Sequence, residues 1–196
     1  MRRRTFDWLL SMGGVVLTVV LVVAGVLLFA GYSFADNNVR SQLAAQKIFF
    51  PPKGSESITS LPASDRPFIA RYAGQQLLTG AQAQAYADHY IAVHLREIGG
   101  GQTYAQLSAK ALAEPENAEL QGQVQTLFRG ETLRGLLLTS YAFWKLGQIA
   151  KLAMWGAFIL AGVMAILTGL GFWHLRRVPP EAEIEAPPLA LRRQPA

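Results

Sequence analysis

Residues 15–29 have the sequence VVLTVVLVVAGVLLF, which is the first of two stretches that decide the fold. They form the centre of a segment from Trp8 to Ala35 that contains no charged residue. A helix needs about 20 apolar residues to cross the roughly 30 Å hydrocarbon core of a bilayer. Each Leu, Ile, Val or Phe also favours insertion by about 0.3–0.6 kcal/mol. Residues 8–35 are therefore predicted to form a transmembrane helix, preceded by a short N-terminus at residues 1–7.

A cleaved signal peptide is the rival interpretation of this segment. Basic residues precede the apolar run, and Ser33-Phe34-Ala35 resembles a small-x-small cleavage site. The run is, however, well beyond the 7–15 residues that are typical of a signal-peptide core. The sequence therefore favours an anchor that stays uncleaved.

The second decisive stretch, residues 149–175, is predicted to form a second transmembrane helix. Lys151 and Arg176 bound a run without Asp, Glu, Lys or Arg, so neither apolar segment offers a pathway for ions or protons. Trp155 and Trp173 lie near its ends, where amphipathic rings settle at membrane interfaces.

Basic residues predict the orientation of both helices. Arg2-Arg3-Arg4 precedes the first apolar segment and Arg176-Arg177 follows the second, and such short basic flanks stay in the cytoplasm. We therefore expect a multi-pass plasma-membrane protein with both termini cytoplasmic and residues 36–148 outside the cytoplasm. The tail at residues 176–196 is rich in Pro, Glu and Arg, and we expect it to be disordered.

Composition excludes several classes of function. Only 16% of the 196 residues are charged, against about 25% in ordinary soluble domains. The net charge of +5 comes mostly from the ends of the chain, so the middle offers no cationic face for nucleic acid. Cysteine is absent, which excludes disulfides, thiolate metal sites and a cysteine nucleophile.

The middle segment is predicted to be mostly helical, which makes the whole chain an all-α membrane protein with a small helical extracytoplasmic domain. Residues 36–48 contain no helix breaker, so the first apolar helix is expected to continue beyond the membrane. Residues 53–78 contain several Pro, Gly and Ser residues and are expected to be irregular.

Two helices in the middle segment have clear start motifs. Thr79 and Thr103 are each followed three residues later by Gln, the pattern of a capping box. The first helix is expected to end at about Ile98 and the second at Ala113. A last helix is expected to begin at Pro115 and to continue into the second apolar segment.

No pattern in the sequence predicts a catalytic, metal or cofactor site. His89 and His94 are five residues apart and would point to different faces of a helix, whereas helical zinc-binding pairs are four apart. We expect them to be surface or half-buried polar residues. Gly99-Gly100-Gly101 follows a helix rather than a strand and lacks the Lys-Ser/Thr of a phosphate loop.

Small residues recur every four positions in the second apolar segment. In lipid, small side chains permit the close approach of helix backbones. We predict a helix-packing face for the first helix or another subunit, with Phe158, Leu160, Ile166 and Leu170 opposite it. The predicted face consists of Ala153, Ala157, Ala161, Ala165 and Gly169.

Aromatic residues are concentrated in the middle segment, and two interpretations of them stay open. They could form the small core of the domain, or they could form a surface for a partner or ligand. The candidate residues are Phe49, Phe50, Tyr72, Tyr86 and Tyr90.

Three further stretches resemble segments of uncharacterised two-span membrane proteins of actinobacteria: QKIFFPP at residues 46–52, YAGQQ at 72–76 and QTLFRGETLRG at 125–135. The resemblance covers most of residues 8–175. It implies a bacterial plasma membrane and an intact first span, and it implies no activity.

The function expected from the sequence is that of a non-catalytic accessory or scaffold subunit of a larger membrane assembly. Its expected partners are the lipid bilayer and other membrane subunits or further copies of the chain. An extracytoplasmic sensor or ligand-binding module is the alternative, and an envelope enzyme is the third hypothesis.

Overall fold

The computed structural model describes residues 3–177 and residue 179, and in this part all regular elements are helices. An isolated β-bridge joins Phe49 to Gln76. The expected all-α class is therefore confirmed. In chain order the elements are α1 (Arg3–Gln46), α2 (Glu56–Thr59), α3 (Arg66–Ala70), α4 (Gly80–Tyr86), a π-helical turn (Ala87–Ile91), α5 (Ala92–Ile98), α6 (Tyr104–Ala113) and α7 (Ala118–Leu175).

Helices α1 and α7 are both long and apolar enough to cross a membrane. They contain 44 and 58 residues, well above the about 20 that a helix needs to cross a bilayer. Only 6% and 11% of their most apolar windows are buried, so neither window is the core helix of a globular domain. As expected, α1 continues well beyond the first apolar segment.

The chain divides into two compact units. The helix-pair unit comprises Met1–Phe29 and Leu152–Ala196, and the middle unit comprises Ala30–Lys151. Helices α1 and α7 each contribute one part to each unit.

In the helix-pair unit, α1 and α7 pack antiparallel through small residues. Ser11 of α1 lies against Gly171, Gly14 lies against Thr168, and further along α1 Gly25 lies against the ring of Phe158. The inward-facing residues of α7 are three or four positions apart, a repeat of about 3.5 residues that gives left-handed packing. They include Met154, Ala157, Ala161, Met164, Thr168 and Gly171.

The middle unit has its own apolar core. Its most deeply buried large side chains come from different segments: Phe50 follows α1, Ile69 lies in α3, Leu77 precedes α4, and Leu127 lies in α7. Val39 and Leu43 of α1 also belong to this core. Burying such side chains contributes roughly 1.5–3 kcal/mol each, which holds the short helices in place.

Both predicted capping boxes are present. The Thr79 hydroxyl accepts a hydrogen bond from the Gln82 backbone N–H, and the Gln82 side chain accepts one in return from the Thr79 N–H. Thr103 and Gln106 repeat the arrangement at the start of α6. Each box satisfies two backbone donors that a helix N-terminus leaves free.

The structure corrects two expectations about the helices of the middle unit. The last helix begins at Ala118 rather than Pro115, because Asn117 caps it by accepting a hydrogen bond from the Leu120 backbone N–H at 3.1 Å. The stretch expected to be irregular, residues 53–78, contains the short helices α2 and α3. Disorder is predicted for the tail at residues 176–196. Apart from residues 176, 177 and 179, this tail lies outside the described part of the chain.

Candidate functional site

A π-helical turn at Ala87–Ile91 interrupts the helical run from α4 to α5. Such turns insert one extra residue into a helix and are frequent at functional sites. The turn contains Asp88, His89 and Tyr90, so three polar side chains are displaced from ordinary α-helical positions. No Gly or Pro marks it in the sequence, which is why sequence analysis missed it.

His89 is held from two directions. Its Nδ1 lies 2.7 Å from Oδ1 of Asp65, the residue before α3. Its ring stacks on Phe68 with centroids 3.8 Å apart and planes 5° from parallel. Oδ2 of Asp65 accepts a hydrogen bond from the Ser64 hydroxyl at 2.9 Å. The imidazole is therefore fixed in position and orientation.

The Asp65 carboxylate is stabilised in its charged form. Its hydrogen bond with His89 lowers the pKa of Asp65 below the usual 3.8, and the hydrogen bond from Ser64 and the positive charge of Arg96 act in the same direction. The pair is partly accessible, with 18% of the Asp65 side chain and 26% of the His89 side chain exposed.

The acidic residue of the π-turn, Asp88, contacts a different element. Oδ1 of Asp88 lies 3.0 Å from a guanidinium nitrogen of Arg134 in α7. Arg134 also lies 3.5 Å from Glu131 on its own helix. A hydrogen bond with Asp65 thus connects the π-turn to the segment before α3, and an ion pair with Arg134 connects it to α7.

Because Asp65 contacts Nδ1 of His89, Nε2 is the ring nitrogen that would act on a ligand. A carboxylate that fixes one ring nitrogen is a common feature of histidines that act as bases or ligands. Ser64 contacts the carboxylate rather than the imidazole, so these residues are not in nucleophile–base–acid order. Within residues 3–177, no three acidic or histidine side chains form a cluster able to hold a metal ion.

The five predicted aromatic residues divide between core and surface. Phe50 is 2% exposed and contacts Tyr72 and Tyr86, with ring centroids 5.2 and 5.3 Å apart. Tyr90 packs on Tyr86 at 4.9 Å, and burial raises the pKa of Tyr86 above 10.0. Phe49 is 57% exposed. Phe50 therefore lies in the core and is not accessible to a partner, while Phe49 remains on the surface.

The predicted small-residue face also divides. Ala157 and Ala161 are buried, whereas Ala153, Ala165 and Gly169 are exposed. A four-residue spacing requires a right-handed crossing, but the inward-facing residues of α7 follow the 3.5-residue repeat of left-handed packing. For the same reason Phe158, which we expected to face lipid, is half-buried against Gly25.

A second feature missed by sequence analysis is an apolar surface on the part of α7 that belongs to the middle unit. Leu136 is 63% exposed, Phe143 47% and Leu146 64%. These residues are seven and three positions apart, so they share one face of the helix. We call them the α7 stripe. The spacing of these residues is visible in the sequence. The sequence does not show which apolar face of α7 the core leaves uncovered.

No family model matches the chain, and neither a curated protein nor a solved structure matches it. The resemblance to two-span proteins of actinobacteria therefore stays a prediction.

Proposed function

We propose that this chain is a two-span membrane protein that acts as a non-catalytic accessory or scaffold subunit of a larger membrane assembly. Both termini lie in the cytoplasm, and the middle unit lies outside it. The α7 stripe is the observation on which the scaffold assignment depends.

Exposed apolar side chains support insertion of the helix-pair unit into a membrane. Leu27 is 67% exposed, Val20 55%, Ile159 63% and Ile166 66%. Contiguous apolar surface of this kind is rare on soluble monomers. Lipid tails remove its unfavourable contact with water.

Aromatic residues paired with cations support the position of the span. Arg177 lies 4.3 Å from the ring centroid of Trp173 in the helix-pair unit, and Lys151 lies 5.0 Å from that of Tyr32 in the middle unit. In the sequence Trp8 and Tyr32 are 24 positions apart, slightly more than the about 20 residues that a helix needs to cross the hydrocarbon core.

The α7 stripe supports an assembly role because it precedes the predicted span at residues 149–175. In the proposed topology it faces water, where an uncovered apolar face on a helix is unfavourable. Contact with another protein removes that face from water, and interaction sites commonly have this character.

Topology is tested by reporter fusions. Fusions before Phe6 and after residue 180 should report cytoplasm, and a fusion at Gly100 should report the opposite side. A cytoplasmic reading at Gly100 contradicts the proposed topology.

The assembly role is tested by purification of the full chain from its native membrane in mild detergent. Phe143→Ser should remove co-purifying protein, whereas Leu112→Ser should retain it. Leu112 is a suitable control because it is 83% exposed and lies on α6, away from the stripe. A monodisperse monomer without any bound protein in the wild type would contradict the scaffold assignment.

The oriented imidazole of His89 favours one second candidate, an extracytoplasmic ligand-binding module. A ligand that binds the folded chain raises its unfolding temperature. A compound that stabilises the wild type but not His89→Ala would support this candidate over the scaffold.

A further inference from the structure

A groove of about 410 Å³ runs between α1 and α7 within the helix-pair unit. This volume falls within the roughly 300–1,000 Å³ range of small-molecule sites. Its lining is mostly aliphatic and includes glycines that leave room between the helices. Among the lining residues are Leu9, Leu10, Gly13, Leu17, Met164 and Leu167. A Cβ built on Gly13 would have no atom within 4 Å, so the groove is open at this position.

Positive charge is concentrated at the helix ends next to this groove. Arg3 and Arg4 begin α1, and Arg176-Arg177 directly follows α7. Among the described residues at this end, four arginines and one aspartate, Asp7, give a net charge of +3.

The lining of the groove continues toward these charges on both helices. Arg3, Leu10 and Leu17 are spaced by seven residues and share one face of α1. On α7, Leu167 and Gly171 line the groove, and His174 occupies the next turn of the same face. The apolar groove thus ends at cationic or ionisable side chains.

We propose that this groove binds one acyl chain of an anionic phospholipid, with the lipid phosphate held by the arginines at its end. The proposal rests on the membrane insertion proposed above. Guanidinium groups form paired, charge-assisted hydrogen bonds with phosphate oxygens, and the aliphatic lining suits a hydrocarbon chain. The occupant is a lipid of the leaflet that faces the chain termini.

The dimensions agree with this occupant. From Leu9 to Leu17 the groove extends along nine residues of α1, whose eight rises of 1.5 Å give roughly 12 Å. One leaflet contributes about half of the roughly 30 Å hydrocarbon core. The groove therefore accommodates most of the depth that one acyl chain occupies.

The test uses the full chain in detergent, titrated with dioleoyl phosphatidylglycerol or dioleoyl phosphatidylcholine and analysed by native mass spectrometry. The wild type should retain the anionic lipid in preference to the zwitterionic one. Gly13→Leu adds an apolar side chain at a groove-lining position where a Cβ meets no atom within 4 Å, and it should reduce retention of both lipids at least five-fold. Gly156→Leu is the matched control, because a Cβ there also meets nothing within 4 Å and Gly156 does not line the groove.

The arginines are tested by the double variant Arg3→Gln with Arg4→Gln. A basic residue near an anionic lipid surface contributes about five-fold to binding, so the preference for phosphatidylglycerol should fall roughly 25-fold. Binding of phosphatidylcholine should fall less, because its choline cation already offsets the charge of the phosphate that the arginines contact. A preference that is unchanged in this variant would overturn the assignment of the phosphate to Arg3 and Arg4.

Three results would overturn the proposal as a whole. Equal lipid retention by Gly13→Leu and Gly156→Leu would place the lipid elsewhere. Displacement of the lipid by glycerol phosphate at similar concentration would identify a free phosphate as the ligand. Equal retention of the two lipids by the wild type would remove the anionic preference. Alkaline extraction of the same membranes separates these failures from failure of the proposed function, since a chain released as soluble protein is not membrane-inserted.

Discussion

Gly80 is a position where the packing of the middle unit leaves no room for a side chain. It is the first residue of α4, it is buried, and Trp144 of α7 lies directly against it. A Cβ at Gly80 would lie 2.6 Å from Cγ of Trp144 and 2.9 Å from Cδ2. These atoms are close to the backbone of α7, so a rotation of the indole cannot relieve the contact. Gly80→Ala therefore forces α4 and α7 apart.

The expected effect is a loss of stability, measured against a glycine with free space. Overpacking typically costs about 1–3 kcal/mol, whereas a Gly→Ala change without strain stabilises by about 0.4–1 kcal/mol. Gly122 on α7 is the control, because a Cβ there meets nothing within 4 Å. Gly122→Ala should be slightly more stable than the wild type. Gly80→Ala should be less stable than Gly122→Ala by about 1–3 kcal/mol.

Thermal unfolding in mild detergent, followed by tryptophan fluorescence and circular dichroism, measures this difference. For a unit the size of Ala30–Lys151, 1 kcal/mol corresponds to about 4 °C, so Gly80→Ala should unfold about 4–12 °C below Gly122→Ala. In a Trp144→Ala background the effect of Gly80→Ala should shrink but persist, because the Cβ of residue 144 remains. Equal midpoints for Gly80→Ala and Gly122→Ala would refute the packing described here.

Three further predictions concern the middle unit. The folded-state pKa of Asp65 lies below 3.8. Its contribution to stability is therefore complete above pH 3.8 and is lost as the pH falls through the lowered value. Acid titration followed by circular dichroism should show a smaller loss of stability in Asp65→Asn than in the wild type. Because burial raises the pKa of Tyr86 above 10.0, stability should fall as the pH rises past 10, and Tyr86→Phe should lessen that fall. Lys47 has a φ of 52°, a left-handed conformation that costs other residues about 1–2 kcal/mol relative to Gly, so Lys47→Gly should raise the thermal midpoint while Lys47→Val lowers it.

Features encoded within a few consecutive residues could be predicted from the sequence. The capping boxes at Thr79 and Thr103 depend on two side chains three residues apart, and both occur as expected. The two long apolar helices follow from uninterrupted apolar composition. The start of α7 was wrong because two N-terminal signatures lie side by side there, and the side chain of Asn117 prevailed over the proline at residue 115.

The candidate site could not be predicted because its contacts join distant parts of the chain. Asp65 and His89 are 24 residues apart, and Asp88 and Arg134 are 46 apart. The π-turn changes which face of the helix each of its residues occupies, and a standard α-helical projection cannot anticipate it. Composition alone suggested a core among the aromatic residues, but not that Phe50 would be buried while its neighbour Phe49 is exposed.

The predicted small-residue face of α7 provides a last prediction, because its members have different roles in the structure. Ala161 is 4% exposed and belongs to the contact between α7 and α1, whereas Ala165, one turn further on, is exposed. Ala161→Leu should therefore lower the thermal midpoint of the purified chain by an amount equivalent to about 1–3 kcal/mol, while Ala165→Leu and the lipid-facing control Ile166→Leu should leave it unchanged.

Co-purification separates packing within one chain from packing between chains. If the exposed part of the small-residue face contacts another subunit, Ala165→Leu should release that subunit without changing the stability of the chain itself. The overpacking then acts only at the contact between the two subunits. Equal destabilisation by Ala161→Leu and Ala165→Leu would mean that α7 follows the four-residue spacing after all. The left-handed packing inferred from its 3.5-residue repeat would then be wrong.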